Sequence, residues 1–255
     1  MRALIVTAVA AEADSVAAGL TPHPDPATPE PRALPGGYPV LRRDLPGLAA
    51  DVLVGGVGPA AAAAATATAL ALTAGSDGSA RYALVVSAGI GGGFAPAAPP
   101  GSLVVADAIV AADLGAETPD GFLAVQELGF GRNVHLPPPE LAARAAEATG
   151  ALLAPVLTVS TVTGTAARAD VLAARHPAAG AEAMEGFGVA EAAAAHGLPV
   201  LEIRAVSNAV GPRDRAAWRI GDALAALTAG FRALGPVLVH WGEQHEHRHD
   251  HRHDS

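Results

Sequence analysis

The sequence contains no lysine and no cysteine, and these two absences exclude several kinds of active site. All 16 basic residues among the 255 are arginine. Without lysine there is no Schiff-base nucleophile, no anchor for pyridoxal phosphate and no P-loop lysine. Without cysteine there are no disulfides, no thiolate nucleophiles and no cysteine-ligated zinc or iron–sulfur sites. The lack of cysteine is compatible with a reducing cytoplasm, where we expect the protein to work.

Aromatic residues and positive charge are also scarce. Only 4% of the residues are aromatic while 51% are hydrophobic, so we expect a core of small aliphatic side chains. The formal net charge is −9 without any basic block, which argues against nucleic-acid and anionic-membrane partners. The apolar run Ala3–Ala11 is followed at once by acidic residues, which is typical of a buried first strand rather than a signal peptide. The alanine- and threonine-rich segment 59–74 is too weakly hydrophobic to span a bilayer.

Apolar runs alternate with helical segments along the chain. This order is typical of a mostly parallel β-sheet covered by helices on both faces. The predicted strands are Leu4–Val9, Asp51–Val54, Tyr82–Ser87, Leu103–Val110, Leu152–Ser160 and Val200–Val206, and the last predicted helix is Ala216–Leu234. We see no internal repeat and no clean interior boundary. The sequence therefore predicts a single α/β domain with three α/β/α layers around a mixed, mostly parallel sheet.

Two segments are predicted to lie outside that regular framework. Thr21–Gly37 carries many prolines and is interpreted as an irregular surface excursion. The domain is expected to cover residues 1–236, and the histidine-rich residues 237–255 to form a disordered tail. Histidines alternate with other residues over 245–253, and neutral imidazoles bind nickel, copper and zinc. Metal binding by the tail is therefore left open.

The most informative stretch combines a helix start with a polar strand end. Met184 and Glu185 precede an alanine-rich helix, and Val200–Val206 is an apolar run of strand length. Ser207 and Asn208 follow this run. Open α/β sheets bind ligands at the carboxyl ends of their strands, so we expect a carboxylate and an amide at one rim. Helix-dipole and turn preferences alone also favour these residue types at such positions.

Two glycine-rich segments each follow a predicted strand. The first, residues 55–58, is a loose match to a dinucleotide fingerprint, but the next strand ends at Ser87 instead of an acidic residue. We therefore do not predict NAD or FAD binding. The backbone N–H groups of this segment either face a ligand or merely accompany a tight turn. In the second segment, Ser87, Ala88 and Gly89 are small enough for the backbone to approach a flat ring or a sugar.

Glu12 follows the first predicted strand, so it is expected at the same carboxyl rim. A carboxylate with a free oxygen can orient or deprotonate a water molecule there. The alternative is a glutamate that is favoured only by the dipole of the helix that it begins.

Taken in order, these segments resemble the nucleoside phosphorylase and nucleosidase superfamily over residues 1–234. This superfamily includes the purine nucleoside phosphorylases and the methylthioadenosine/S-adenosylhomocysteine nucleosidases. Asn208 to Asp214, which reads Asn-x-Val-Gly-x-Arg-Asp, followed by Trp218, is similar in particular to the futalosine hydrolases. The resemblance implies a nucleoside phosphorylase-like fold, a purine nucleoside as substrate, no cofactor, no metal, and a cytoplasmic homo-oligomer.

The resemblance also implies roles for individual residues. A glutamate at the position of Glu12 activates the attacking water, and one at the position of Glu185 binds the ribose hydroxyls. Met184 would pack under the sugar, and Asn208 would face N7 of the purine. The other predicted substrate contacts are Ser87, Ala88, Gly89, Thr163, Gly164, Thr165 and Ser207.

Asn208 favours hypoxanthine over adenine, because adenine-specific nucleosidases carry aspartate at this position. An amide has both a donor and an acceptor, so it can donate to a 6-oxo group. It cannot act as a general acid near pH 7, which leaves the source of the leaving-group proton open. Futalosine is an inosine-like nucleoside with a carboxyphenyl arm. Arg213 or Arg215 is expected to bind its carboxylate.

Phosphorylases clamp phosphate with arginines, and no arginine follows the first two strands or lies near Ser87. Glu12 would also repel phosphate. Hydrolysis is therefore preferred over phosphorolysis. The resemblance to the futalosine hydrolases implies that the bond cleaved is the N-glycosidic bond of futalosine, with release of hypoxanthine and dehypoxanthine futalosine, as part of menaquinone biosynthesis. Three alternatives stay open: an adenine-type nucleosidase, a nucleoside phosphorylase, and a non-catalytic nucleoside-binding protein.

Overall fold

The computed structural model describes residues 1–21, 32–74 and 81–250, with the backbone alone for 74 and 245–250. The strands in chain order are β1 (Arg2–Thr7), β2 (Arg32–Ala33), β3 (Pro39–Leu45), β4 (Leu48–Val54), β5 (Leu84–Gly93), β6 (Leu103–Val105), β7 (Ile109–Ala111), β8 (Gly115–Thr118), β9 (Gly121–Ala124), β10 (Val134–His135), β11 (Leu152–Leu153), β12 (Val156–Thr158), β13 (Ala181–Ala183) and β14 (Val200–Ala209). The helices are α1 (Ala10–Gly19), α2 (Pro59–Ala74), α3 (Pro139–Thr149), α4 (Ala166–Arg175), α5 (Gly186–Ala195) and α6 (Ile220–Asp250).

Within these residues, all strands except the β8–β9 hairpin join one 12-stranded mixed sheet. Its centre is parallel, with β1 between β4 and β5, and β14 beside β5. Strand β13 runs antiparallel to β5, and β3 runs antiparallel to β4. The prediction of a mixed, mostly parallel sheet is confirmed.

Helices cover both faces of the sheet. In β1, Ala3 and Ile5 belong to the apolar cluster that includes residues of α1, α3 and α6, whereas Leu4 and Val6 belong to the cluster that includes residues of α2 and α5. Side chains of a strand alternate between the two faces, so a strand buried on both sides reads as a continuous apolar run. The three-layer α/β/α architecture is confirmed.

The predicted domain boundary after residue 236 falls inside a helix. The last helix begins at Ile220 and continues to Asp250 through Pro236. Its buried side chains keep helical spacing past the proline: Leu227, Phe231, Leu234, Leu238 and Trp241. Over Ile220–Gln244, helix α6 is long and apolar enough to cross a membrane, but core helices of this length often are. Its apolar stripe belongs to the core beside the sheet. The side chains of the histidines at 245–253, for which metal binding was left open, lie outside the described residues.

Other differences concern element boundaries. The Pro-rich excursion over Thr21–Gly37 lies mostly outside the described residues, and β2 occupies its end. The predicted strand Leu103–Val110 is two strands, β6 and β7, and Leu152–Ser160 is likewise divided into β11 and β12. The larger error is β5, which includes the glycine-rich segment that we interpreted as a loop. Glycine is required there because neighbouring backbone is close: a Cβ on Gly93 would lie 2.0 Å from the carbonyl oxygen of Ala98.

Candidate active site

A cavity of about 330 Å³ opens at the carboxyl ends of β1, β5 and β14, beside the start of α1 and of α5. Seven of the predicted site residues line it: Glu12, Thr163, Met184, Glu185, Ser207, Asn208 and Arg213. They come from five separate parts of the chain. The side chains expected at one rim of the sheet, Glu12, Glu185 and Asn208, thus line a single cavity.

The Glu12 carboxylate is fixed by three backbone N–H groups. Oε2 accepts hydrogen bonds from Ala8 (2.9 Å) and Val9 (3.2 Å), and Oε1 accepts one from Ile90 (2.9 Å). The residue is 3% exposed. Burial raises the pKa of Glu12, although the Ile90 N–H group and the charge of Arg204 act in the opposite direction. A carboxylate has about four acceptor positions, so one remains for a water molecule in the cavity.

The raised pKa of Glu12 predicts the acid side of the pH–rate profile. If Glu12 accepts a proton from water, kcat/KM should fall as the pH drops through a pKa above the ordinary value of 4.5. Stability should change the other way: the folded state binds more protons in that range, so this group makes the protein less stable as pH rises through it. The rate is measured as base release between pH 4 and 8 (roughly the range where carboxylates and histidines titrate). A rate that stays constant down to the ordinary carboxyl pKa would contradict this role for Glu12.

Glu185 is held from two sides at the start of α5. Its Oε1 accepts a hydrogen bond from the N–H of Gly58 at 3.1 Å, and its Oε2 contacts Nη1 of Arg204 at 3.2 Å. Gly58 has φ = +92°, a conformation that favours glycine. The first glycine-rich segment therefore positions a carboxylate of the protein itself.

Arg204 is a buried residue at the centre of this cluster, and sequence reasoning gave it no role. Besides Glu185, its guanidinium donates to Oε1 of Glu202 (2.8 Å) and to Oγ of Ser87 (2.8 Å). Burial alone would lower the pKa of Arg204, but the charges of Glu202, Glu185 and Glu12 outweigh that effect and raise it. The signal was present in the sequence, because glutamate and arginine alternate in an otherwise apolar strand.

Glu202 is completely buried, and one of its oxygens, Oε2, has no hydrogen-bond partner within the described part of the chain. Burial raises the pKa of its carboxyl group, with Arg204 acting in the opposite direction. The first residue of α5 must be glycine to accommodate it, since a Cβ on Gly186 would lie 2.3 Å from both carboxylate oxygens.

Asn208 reaches the cavity because β14 contains a bulge. Val206 pairs with Gly91 and Asn208 pairs with Gly92, so Ser207 is an extra residue between them. Bulges of this kind redirect side chains near functional sites. The hydroxyl of Ser207 lies 2.8 Å from Oδ1 of Asn208, and Nδ2 of Asn208 donates to the carbonyl of Ala209 at 2.9 Å.

Glu182, which we did not predict, lines the same cavity. It is 4% exposed, and its carboxylate accepts hydrogen bonds from the backbone N–H (2.8 Å) and the hydroxyl of Thr163. Burial raises the pKa of Glu182, while both bonds from Thr163 act to lower it. The sequence did contain a signal for Glu182, because a glutamate at the centre of a three-residue buried strand is unusual.

Five predicted contacts do not line the cavity. Ser87, Ala88 and Gly89 lie within β5, where Ser87 bonds Arg204 and the residues after Gly89 reach the cavity instead. A Cβ on Gly89 would lie 2.6 Å from Oε1 of Glu12, so this glycine makes room for Glu12. Thr165 caps α4 by accepting from the N–H of Arg168, and the carbonyl of Gly164 accepts from the N–H of Arg213.

The outer wall of the cavity carries a cation beside an aromatic ring. The guanidinium of Arg213 lies 5.0 Å from the centre of the Trp218 ring, and both residues line the cavity. Arg215 contacts the same ring at 5.7 Å but is not a lining residue. Of these two arginines, only Arg213 is therefore placed to meet a ligand in the cavity. Among the described residues, no group of three or more histidine, aspartate or glutamate side chains is placed to hold a metal ion.

Comparisons with known proteins agree with this architecture. The family model of the phosphorylase superfamily matches residues 2–230. Futalosine hydrolase from Streptomyces coelicolor is 63% identical over 250 residues, which cover 96% of this chain and 100% of the relative. Futalosine hydrolase from Acidothermus cellulolyticus is 49% identical over 243 residues, 92% of this chain and 91% of the relative.

Solved structures show the same fold at low sequence identity. The native futalosine hydrolase of Helicobacter pylori superposes with a TM-score of 0.76 at 17% identity, covering 92% of this chain and 97% of the other. A methylthioadenosine/S-adenosylhomocysteine nucleosidase from Colwellia psychrerythraea, solved with adenine, has a TM-score of 0.72 at 22% identity, covering 92% and 95%. The resemblance seen in the sequence is confirmed, and the chain belongs to the phosphorylase superfamily and, within it, to the futalosine hydrolases.

Proposed function

We propose that the protein hydrolyses the N-glycosidic bond of futalosine and releases hypoxanthine and dehypoxanthine futalosine. The observation that carries the proposal is the pairing of two buried carboxylates, Glu12 and Glu185, around one nucleoside-sized cavity that also contains Asn208. The substrate follows from the names of the two relatives, which are futalosine hydrolases at 63% and 49% identity.

In the proposed mechanism, cleavage passes through a ribosyl oxocarbenium-like transition state. Glu12 accepts a proton from a water molecule whose oxygen bonds to C1′ as the bond from C1′ to N9 breaks. Glu185 accepts hydrogen bonds from the ribose hydroxyls. The amide of Asn208 donates to the purine and stabilises the negative charge that develops on it, and solvent returns a proton to the base. One well-placed donor of this kind contributes about 3 kcal/mol of transition-state stabilisation.

The distribution of cations favours water over phosphate as the nucleophile. Phosphate binding requires arginine or lysine side chains with free donors. Arg204 is committed to Glu185, Glu202 and Ser87 and does not line the cavity. Among the described lining residues, the only cation is Arg213, which stacks on Trp218. Its position on the outer wall suits the carboxylate of the substrate's arm.

The test is release of hypoxanthine from futalosine by the purified protein, in phosphate-free buffer and with added phosphate. We expect equal rates in the two buffers. Release that requires phosphate would identify a phosphorylase and overturn the role of Glu12. Release from methylthioadenosine but not futalosine would indicate an adenine-type nucleosidase, and no release from either would indicate a nucleoside-binding protein.

The setting of the reaction is part of the proposal. Hydrolysis of futalosine would place the protein in menaquinone biosynthesis, and the absence of cysteine suits a cytoplasmic enzyme. We also propose a homo-oligomer, which sedimentation of the purified protein would test.

A further inference from the structure

Glu182 and Asn208 flank the same glycine from opposite sides of the sheet's central strand. In the pairing of β13 with β5, Glu182 lies opposite Gly92, and in the pairing of β14 with β5, Asn208 also lies opposite Gly92. Residues directly opposite each other in a ladder place their side chains on the same face. The carboxylate of Glu182 and the amide of Asn208 therefore lie on one face of the sheet, with Gly92 between them.

The gap over Gly92 exists because glycine has no side chain. A Cβ at this position would lie 3.4 Å from Nδ2 of Asn208 and 3.0 Å from the side chain of Val210. Without the bulge at Ser207, Asn208 would pair with Gly93 and its side chain would point to the other face. The bulge and the glycine together create a slot between an acid and an amide, and Gly92, Glu182 and Asn208 all line the cavity.

This slot lies at a suitable distance from the water-activating group. Oε1 of Glu12 is bonded to the N–H of Ile90, and Gly92 is two residues further along β5. Two residues of strand span about 7 Å. A nucleoside with C1′ beside Glu12 would therefore extend its base into the slot.

The hydrogen bonds already made by Glu182 leave acceptors free. Each carboxylate oxygen has two lone pairs, and Thr163 occupies one position on each oxygen. The free lone pairs can accept one further N–H group from a ligand. A 6-oxopurine has a donor at N1 and an acceptor at O6, whereas adenine has an acceptor at N1 and donors at its 6-amino group.

We propose that Glu182 recognises the N1–H group of a 6-oxopurine while Asn208 donates to the base from the other side of Gly92. This inference rests on the proposed function and names the residue that selects its base. A carboxylate can accept a hydrogen bond from the N1–H group of hypoxanthine. In adenine, N1 carries a lone pair instead, which the carboxylate repels. Glu182 is thus a specificity-determining residue, and Asn208 alone does not account for the selection.

The test compares futalosine with its counterpart that carries adenine in place of hypoxanthine. In Glu182→Gln, the new Nε2 group has two hydrogens. One can be donated to the hydroxyl of Thr163, and the other can form a hydrogen bond with the N1 atom of adenine. We expect the ratio of kcat/KM for the 6-oxo over the 6-amino substrate to fall by on the order of 100-fold, because a buried polar edge left unpaired strongly disfavours binding. The matched control is Glu191→Gln, whose carboxylate is 42% exposed, bonds His135 and does not line the cavity. Its ratio should equal that of the unmodified protein.

Binding of the free bases gives a second measurement that needs neither catalysis nor a folded variant. The unmodified protein should bind hypoxanthine more tightly than adenine and at least about 10-fold more tightly than 1-methylhypoxanthine, which lacks the N1–H group. Equal binding of hypoxanthine and its 1-methyl derivative, or an unchanged ratio in Glu182→Gln, would overturn the role of Glu182. If the unmodified protein releases no hypoxanthine from futalosine, the proposed function fails, and the base-binding result still decides the role of Glu182 separately.

Discussion

Replacing Glu12 with glutamine is expected to lower kcat/KM for nucleoside hydrolysis by about 1,000-fold, because a positioned general base contributes 10²–10⁴-fold. The amide cannot accept a proton from water. Its NH₂ group would also face one of the backbone N–H groups that now bind the carboxylate, those of Ala8, Val9 and Ile90. This mismatch should cost about 1–3 kcal/mol of stability.

The matched control for this variant is Asp14→Asn. Asp14 lies in the same helix two residues later, is exposed and does not line the cavity. Hypoxanthine release and the melting temperature are measured for both variants, and Asp14→Asn should equal the unmodified protein in both. A Glu12→Gln protein that keeps more than a tenth of the activity would show that another group activates the water.

Replacing Arg204 with methionine should lower the free energy of unfolding by about 3–5 kcal/mol, a larger loss than we expect from Glu12→Gln. Methionine is of similar length but leaves Glu202, which is fully buried, and Glu185 without their cation. The carboxyl group of Glu202, whose pKa is already raised by burial, would respond by binding a proton. The deficit should therefore shrink as the pH falls, since the folded variant would hold protons that the unfolded chain releases.

Urea unfolding of Arg204→Met and Arg219→Met at several pH values tests this prediction. Arg219 pairs with Asp222 at the surface, where both side chains are more than half exposed, so its loss should cost less than about 1 kcal/mol. The loss of stability in Arg204→Lys should be intermediate between the losses in these two variants. Lysine keeps the positive charge but lacks the planar guanidinium group that binds three partners at once. Equal losses for the two methionine variants would mean that the buried carboxylates do not depend on Arg204.

The sequence predicted the layers of the fold and part of the cavity for a local physical reason. A strand buried on both faces reads as a continuous apolar run, and polar residues directly after it belong to the carboxyl rim. This rule placed Glu12, Ser207 and Asn208 correctly. It failed for Ser87 to Gly89, because the glycine-rich end of β5 looks like a loop unless one knows which backbone atoms approach it.

The residues that sequence reasoning missed depend on contacts between distant parts of the chain. Glu182 lies opposite Gly92, 90 residues away along the chain, and the register that brings them together cannot be deduced from either segment alone. Arg204 is likewise defined by its partners Ser87 and Glu185, which come from other elements. The end of α6 was also missed: the last helix was predicted to end at Leu234, but it continues through Pro236, and Leu238 and Trp241 extend its apolar stripe.

The packing of α6 against α1 has a consequence for the order in which the chain can fold. The hydroxyl of Thr228 donates to the carbonyl of Ser15, 213 positions earlier, and the buried side chains of α6 complete the core over β1. A nascent chain therefore exposes the apolar face of β1 and α1 until α6, which follows more than 200 positions later, has been synthesised. Contacts of such long sequence separation slow folding, so we expect the N-terminal segment to be the part that depends most on chaperones during translation.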